Sequence, residues 1–126
     1  MAKLPDIAAQ AWENREGPVV LTTVDSNRMP NAIYVTCVKK ISHDQIVVAD
    51  NKMSKTRANI LAGSAASMLY ITKEKKAFQL KGSLEYKTSG DIFDGMKNGW
   101  LDKKYPGHGA VIFLVEAVFS GAEKLS

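Results

Sequence analysis

From Val19 onward, no apolar stretch runs far before Gly, Pro, Asp, Asn or Ser interrupts it. Between the breaks lie short runs rich in β-branched and aromatic residues, the composition of strands. Val19–Val24 is one such run. Asp25-Ser26-Asn27-Arg28 has turn chemistry, and residues 29–38 read as the returning strand, with Pro30 near its start where a missing donor is tolerable. Gln45–Ala49, Ser67–Thr72 and Ala110–Phe119 follow the same pattern. Ala77–Lys87 is longer and alternating, and its Gly82 marks a bulge or tight bend.

Three segments have helical spacing instead. Pro5-Asp6 suits a helix start, Ile7, Ala8, Ala11 and Trp12 share one face, and Gly17-Pro18 stops it. Ser54–Ala62 reads as a short helix closed by Gly63. Ile92, Phe93, Met96 and Trp100 predict a third, weakened by Gly95 and Gly99. The sum is a mainly β chain of six strands and three short helices. Strands and helices do not alternate, so a doubly wound parallel sheet is disfavoured and a closed antiparallel barrel is expected.

The 126 residues suit a single domain, 1–126, and 45% hydrophobic content supports one core. No run approaches the roughly 20 apolar residues of a membrane-spanning helix. No apolar segment with a cleavage site opens the sequence, and a lone Cys37 allows no internal disulfide, so a cytoplasmic location is expected. The net charge of +4 is scattered; its densest group, Lys73, Lys75 and Lys76, reads as a solvated hairpin tip rather than a nucleic-acid patch. His43 and His108 form no metal-ligand spacing with each other or with Cys37.

The most informative segment is Ala49-Asp50-Asn51-Lys52-Met53-Ser54-Lys55-Thr56-Arg57. A strand ends, a turn follows and a helix begins. Unpaired amides at a helix start, two hydroxyls, the Lys55 charge and a second charge from Lys52 or Arg57 together match a phosphate monoester. The competing reading makes Ser54 only an N-cap. Neither a P-loop nor a Gly-x-Gly-x-x-Gly pattern is present. Asn31-Ala32-Ile33-Tyr34-Val35-Thr36 could lie along a flat ring as an extended strand, or could be an ordinary barrel strand. The run Ala110–Val115 is apolar on both faces. Its outer face needs cover, from a second copy of the chain or from a C-terminal helix.

The order of these elements, the hairpin Val19–Val38, the run Ile46–Asn59 with Ser54-Lys55-Thr56, and the strand Ala77–Tyr86 with Gly82 together resemble the FMN-binding split β-barrel family typified by pyridoxamine 5′-phosphate oxidase. The resemblance spans residues 4–124 and implies a six-stranded antiparallel Greek-key split barrel that binds FMN at the interface of a homodimer. Asn31, Ala32, Ile33 and Tyr34 would then line the isoalloxazine ring. Ala49, Asp50, Asn51 and Met53 would run under the ribityl chain and ring edge, and Ser54, Lys55 and Thr56 would hold the phosphate. Gln79 would contact the flavin, and Trp100 and Leu125 would cover the ring from the partner subunit.

The implied activity is FMN-dependent oxidoreduction or electron transfer. The C-terminal Arg-x-His substrate motif and the Arg-rich phosphate strand of the pyridoxal-forming enzymes are both absent, which argues against pyridoxine phosphate oxidase activity itself. Two alternatives stay open: the same fold holding a deazaflavin or haem, and a nucleic-acid-binding barrel without enzymatic activity. The second is disfavoured because Tyr34, Tyr70, Phe78 and Tyr86 alternate within apolar strands and look like core. The redox partner or substrate is not specified by the sequence.

Overall fold

A computed structural model describes residues 2–126. The chain forms a single antiparallel sheet that curls around one core. Its strands are β1 (Val19–Val24), β2 (Pro30–Val35), β3 (Val38–Ser42), β4 (Gln45–Asp50), β5 (Ala66–Ile71), β6 (Ala77–Lys87), β7 (Gly109–Ser120) and the two-residue β8 (Glu123–Lys124). The spatial order is β2-β1-β5-β6-β7-β4-β3, with β8 added beside β7. Helices α1 (Asp6–Glu13), α2 (Lys55–Leu61) and α3 (Asp91–Gly95) complete it, and a π-helical turn, Met96–Trp100, continues α3.

Two expectations change. The strand expected over 29–38 ends at Val35, and after Thr36-Cys37 a separate strand runs over Val38–Ser42, so seven full strands replace six. The sheet is also not closed. β2 and β3 are consecutive in the chain yet stand at opposite ends of the hydrogen-bonded path, with no ladder between them. The barrel is therefore split along that line. Both edges carry protection against further pairing: Pro30 opens β2, and Lys39 and Lys40 lie on β3. Those lysines also hide β3 from a hydropathy reading.

Tight packing explains the bend in β6. The register with β7 shifts between Lys81 and Gly82. A Cβ on Gly82 would run into the carbonyl oxygen of Leu114 and lie 3.2 Å from the Phe113 ring, so only glycine lets the two backbones approach. Inside the curl, Leu21, Ile46, Val48, Met68, Leu80, Val111 and Phe113 are fully buried. Helix α1 closes one end. Its Trp12 meets Tyr70 edge-on at 5.2 Å, Tyr70 stacks on Phe78 at 5.7 Å, and the Tyr70 hydroxyl donates to the Ala8 carbonyl at 2.9 Å.

The start of the outer face of β7, at Ala110, is covered from within the chain. Met96 and Leu101 pack with Val47, Ala49 and Ala110 in a second, smaller cluster, against which Trp100 also lies. Exposed apolar surface lies elsewhere, along the outside of β2, β1 and β5. The registers align Tyr34, Val20, Leu69, Gln79 and Phe119 in one row across five strands. Within that row Tyr34 is 75% exposed and Leu69 44%.

Candidate functional site

Where β2 and β3 part, the sheet leaves a groove of about 830 Å³. One wall is the inner side of β2 with its exit, Asn31, Ile33, Val35, Thr36 and Cys37. The floor and far wall come from the end of β4 and the entry to α2: Ala49, Asn51, Lys52, Met53, Ser54, Lys55 and Thr56. Lys104, Tyr105 and Pro106, from the loop before β7, close the remaining side, and Tyr34 stands at the rim. The volume lies in the range of small-molecule and cofactor sites.

The lining is asymmetric. Ile33, Val35, Ala49 and Met53 offer an apolar slot. Lys52 and Lys55, both exposed, gather positive charge around the α2 entry. Ser54 stands at the N-cap position of α2 but makes no side-chain cap bond, which leaves its hydroxyl free for a ligand. Thr56 is nearly buried, and its Oγ1 accepts the Asn31 side-chain amide at 3.0 Å, which ties α2 to β2 across the groove. A second buried tie, from Asn59 Nδ2 to Thr23 Oγ1 at 3.0 Å, locks the same helix onto β1. With only seven residues, α2 has a small dipole, so a bound anion would rely chiefly on the lysines.

Of the residues named from the sequence, Asn31, Ile33, Tyr34, Ala49, Asn51, Met53, Ser54, Lys55 and Thr56 converge on this groove. The other five are elsewhere in the chain. Ala32 faces outward on β2, Gln79 lies in the outer row of the sheet, Trp100 packs on the second cluster, and Leu125 packs against the main core. Asp50 is wholly buried behind the groove.

Asp50 accepts hydrogen bonds from the Met53 amide (2.9 Å), Arg57 Nε (2.6 Å) and the Tyr86 hydroxyl (2.6 Å). Burial pushes its carboxyl up, but the bonds from Arg57, Tyr86 and Met53, with the Arg57 charge, together hold it below the usual carboxylate value. Arg57 is consumed by this pair, which leaves Lys52 as the second cation at the α2 entry, with Lys104 on the opposite side of the groove. Burial, and then the bond to Asp50, raise the Tyr86 phenol. Tyr34 is exposed rather than core, unlike Tyr70 and Phe78. Lys104, Tyr105 and Pro106 escaped the sequence reading because nothing local ties a loop some 50 residues later to Asn51; only the fold does.

The fold is a half-open antiparallel split barrel with a cationic, apolar-walled groove at its slit. The sequence pattern of the pyridoxamine 5′-phosphate oxidase family matches residues 6–118, and the chain belongs to that family. A curated relative, an uncharacterized protein of Methanocaldococcus jannaschii, is 26% identical over 93 residues, covering 72% of this chain. The match spans 61% of that relative's length.

Among solved structures, Group A Streptococcus HupZ superposes with a TM-score of 0.83 at 18% identity, over 98% of each chain. An FMN-binding protein from Syntrophomonas wolfei gives 0.75 at 21%, covering 93% of this chain and 84% of the other. A heme-binding protein from Mycobacterium smegmatis gives 0.68 at 18%, covering 86% and 49%. At these identities the likeness establishes the shared fold. Among the described residues, no helix is long and apolar enough to cross a membrane.

Proposed function

We propose that the groove binds FMN and that the protein acts in flavin-mediated oxidoreduction or electron transfer. The observation that carries this reading is the pairing, in one groove, of an apolar slot with a cluster of Lys52, Ser54 and Lys55 at its end. A phosphorylated flat ring needs both parts. The lysines and the Ser54 hydroxyl would take the phosphate, with Thr56 held ready beside them by Asn31. Ile33, Val35 and Met53 would exclude water from the ring. When bound, FMN supplies the hydride and electron chemistry, and the chain supplies orientation and electrostatics. The buried Asp50 charge is balanced by Arg57, so it adds little negative field to the groove.

A homodimer fits this reading. The outer row from Tyr34 to Phe119 is partly apolar and partly exposed, and Tyr34 belongs both to it and to the groove rim. A second copy laid on that face would bury the row and bound the groove, with Trp100 or Leu125 of that copy available to cover the ring. A cytoplasmic location accords with flavin chemistry of this kind.

Haem is the second reading. It is favoured by the haem-binding neighbour and by His108, exposed on the loop whose preceding residues line the groove. The absorption spectrum of the purified protein separates the two: flavin bands support FMN, a Soret band supports haem, and colourless protein that takes up neither contradicts both.

A further inference from the structure

The two walls of the groove meet on one residue. Asp50 ends β4 with no exposed surface. Its Oδ1 accepts from the Met53 amide at 2.9 Å and Arg57 Nη2 at 3.1 Å. Its Oδ2 accepts from Arg57 Nε and the Tyr86 hydroxyl, both at 2.6 Å. Its backbone carbonyl accepts the His108 amide at 2.8 Å. Next to it, Asn51 Oδ1 accepts the Gly107 amide at 3.0 Å. The side chain therefore holds the turn 51–54 and α2, while the backbone and its neighbour hold the loop that carries Lys104, Tyr105 and Pro106.

Every acceptor position of this carboxylate is spent on the framework and none on the groove. Moving a carboxylate out of water costs several kcal/mol unless its bonds are fully made. Asparagine could not substitute. It offers one acceptor oxygen, and its NH₂ would face an Arg57 N–H or the Met53 amide, which can only donate; of the present partners only the Tyr86 hydroxyl could turn to accept. Tyr86 is itself fixed, because Gly109 leaves no side chain where its ring lies.

We propose that Asp50 is a positioning residue for ligand binding: through Met53 and Arg57 it sets the spacing of Lys52, Ser54 and Lys55 that grips the phosphate. This rests on the FMN reading. The test titrates FMN and riboflavin, which differ only in the phosphate, into ligand-free wild type, Asp50→Asn and Tyr86→Phe by fluorescence quenching, with folding checked by circular dichroism.

The wild type should prefer FMN. Asp50→Asn should lower the FMN-to-riboflavin affinity ratio about tenfold and leave riboflavin affinity within about twofold, and Tyr86→Phe should lower the ratio about threefold. A folded Asp50→Asn whose ratio is unchanged or raised, or that loses both ligands equally, overturns the assignment. If Asp50→Asn does not fold, an unchanged ratio in Tyr86→Phe overturns it. Wild type that binds neither flavin refutes the FMN reading before any variant is made, and this inference with it.

Discussion

The closed side of the barrel and the split side are built on opposite principles. Under α1, the strands β5, β6 and β7 are laddered on both sides, and their inner residues interlock as rings and branched side chains. Along the slit, β2 and β3 each have one unpaired edge, and what lies between is held by polar ties: Asn31 to Thr56, Asn59 to Thr23, and Asp50 to Arg57 and Tyr86. Hydrophobic packing is non-directional and fills space. Hydrogen bonds fix position while leaving room. A chain that must keep a cavity open beside a solid core uses the first to be stable and the second to be specific. Substitutions on the two sides should therefore separate stability from binding.

The largest effect is expected at the closed end. Trp12 is nearly buried and holds Tyr70 edge-on, so Trp12→Ala should cost about 3–5 kcal/mol in chemical denaturation. A cost under about 1 kcal/mol would mean that α1 is not part of the core. Gly82→Ala should cost about 2–3 kcal/mol, because the β6 and β7 backbones must separate. A melting temperature equal to wild type would contradict the close approach.

Asp50 bridges the two sides and should show in acid. A carboxyl lowered in the folded state adds stability above its unfolded value, near pH 4, and that stability is lost as pH falls through the lower folded value. Wild type should lose stability on acidification below about pH 4, and Asp50→Asn should lose less over the same range. Parallel curves from urea titrations at several pH values would remove the ion pair from the account.

On the split side, stability should hardly move. Tyr34→Ser should stay within about 0.5 kcal/mol of wild type, since the ring is exposed. The same change should shift sedimentation toward monomer if the outer row is a dimer face. An unshifted sedimentation profile would place the interface elsewhere or remove it.

The closed side was also the legible one. Val19–Val24 and Ala77–Lys87 announce themselves by β-branched runs and alternation, and Gly82 stands out because a glycine inside such a strand needs a reason. The slit was harder to read. Val38–Ser42 carries two lysines because it is an edge, and edge protection erases the apolar pattern that marks a strand. The start of α2 just after Ser54 was legible because helix-start signals are local. Asp50 belonged to the same local run, but its role did not show, because Tyr86 comes from β6, and burial and pairing are tertiary facts. The loop at Tyr105 could not be read for the same reason.

The central claim is that Lys55 and its neighbours grip a phosphate at the end of an apolar slot. Its most direct test is equilibrium titration of FMN into ligand-free wild type and Lys55→Ala, paired with urea denaturation of both. The account predicts one FMN per chain, about tenfold weaker binding in the variant, and stabilities equal within about 0.5 kcal/mol. Equal FMN affinity in the two proteins, or no binding by wild type, would contradict it.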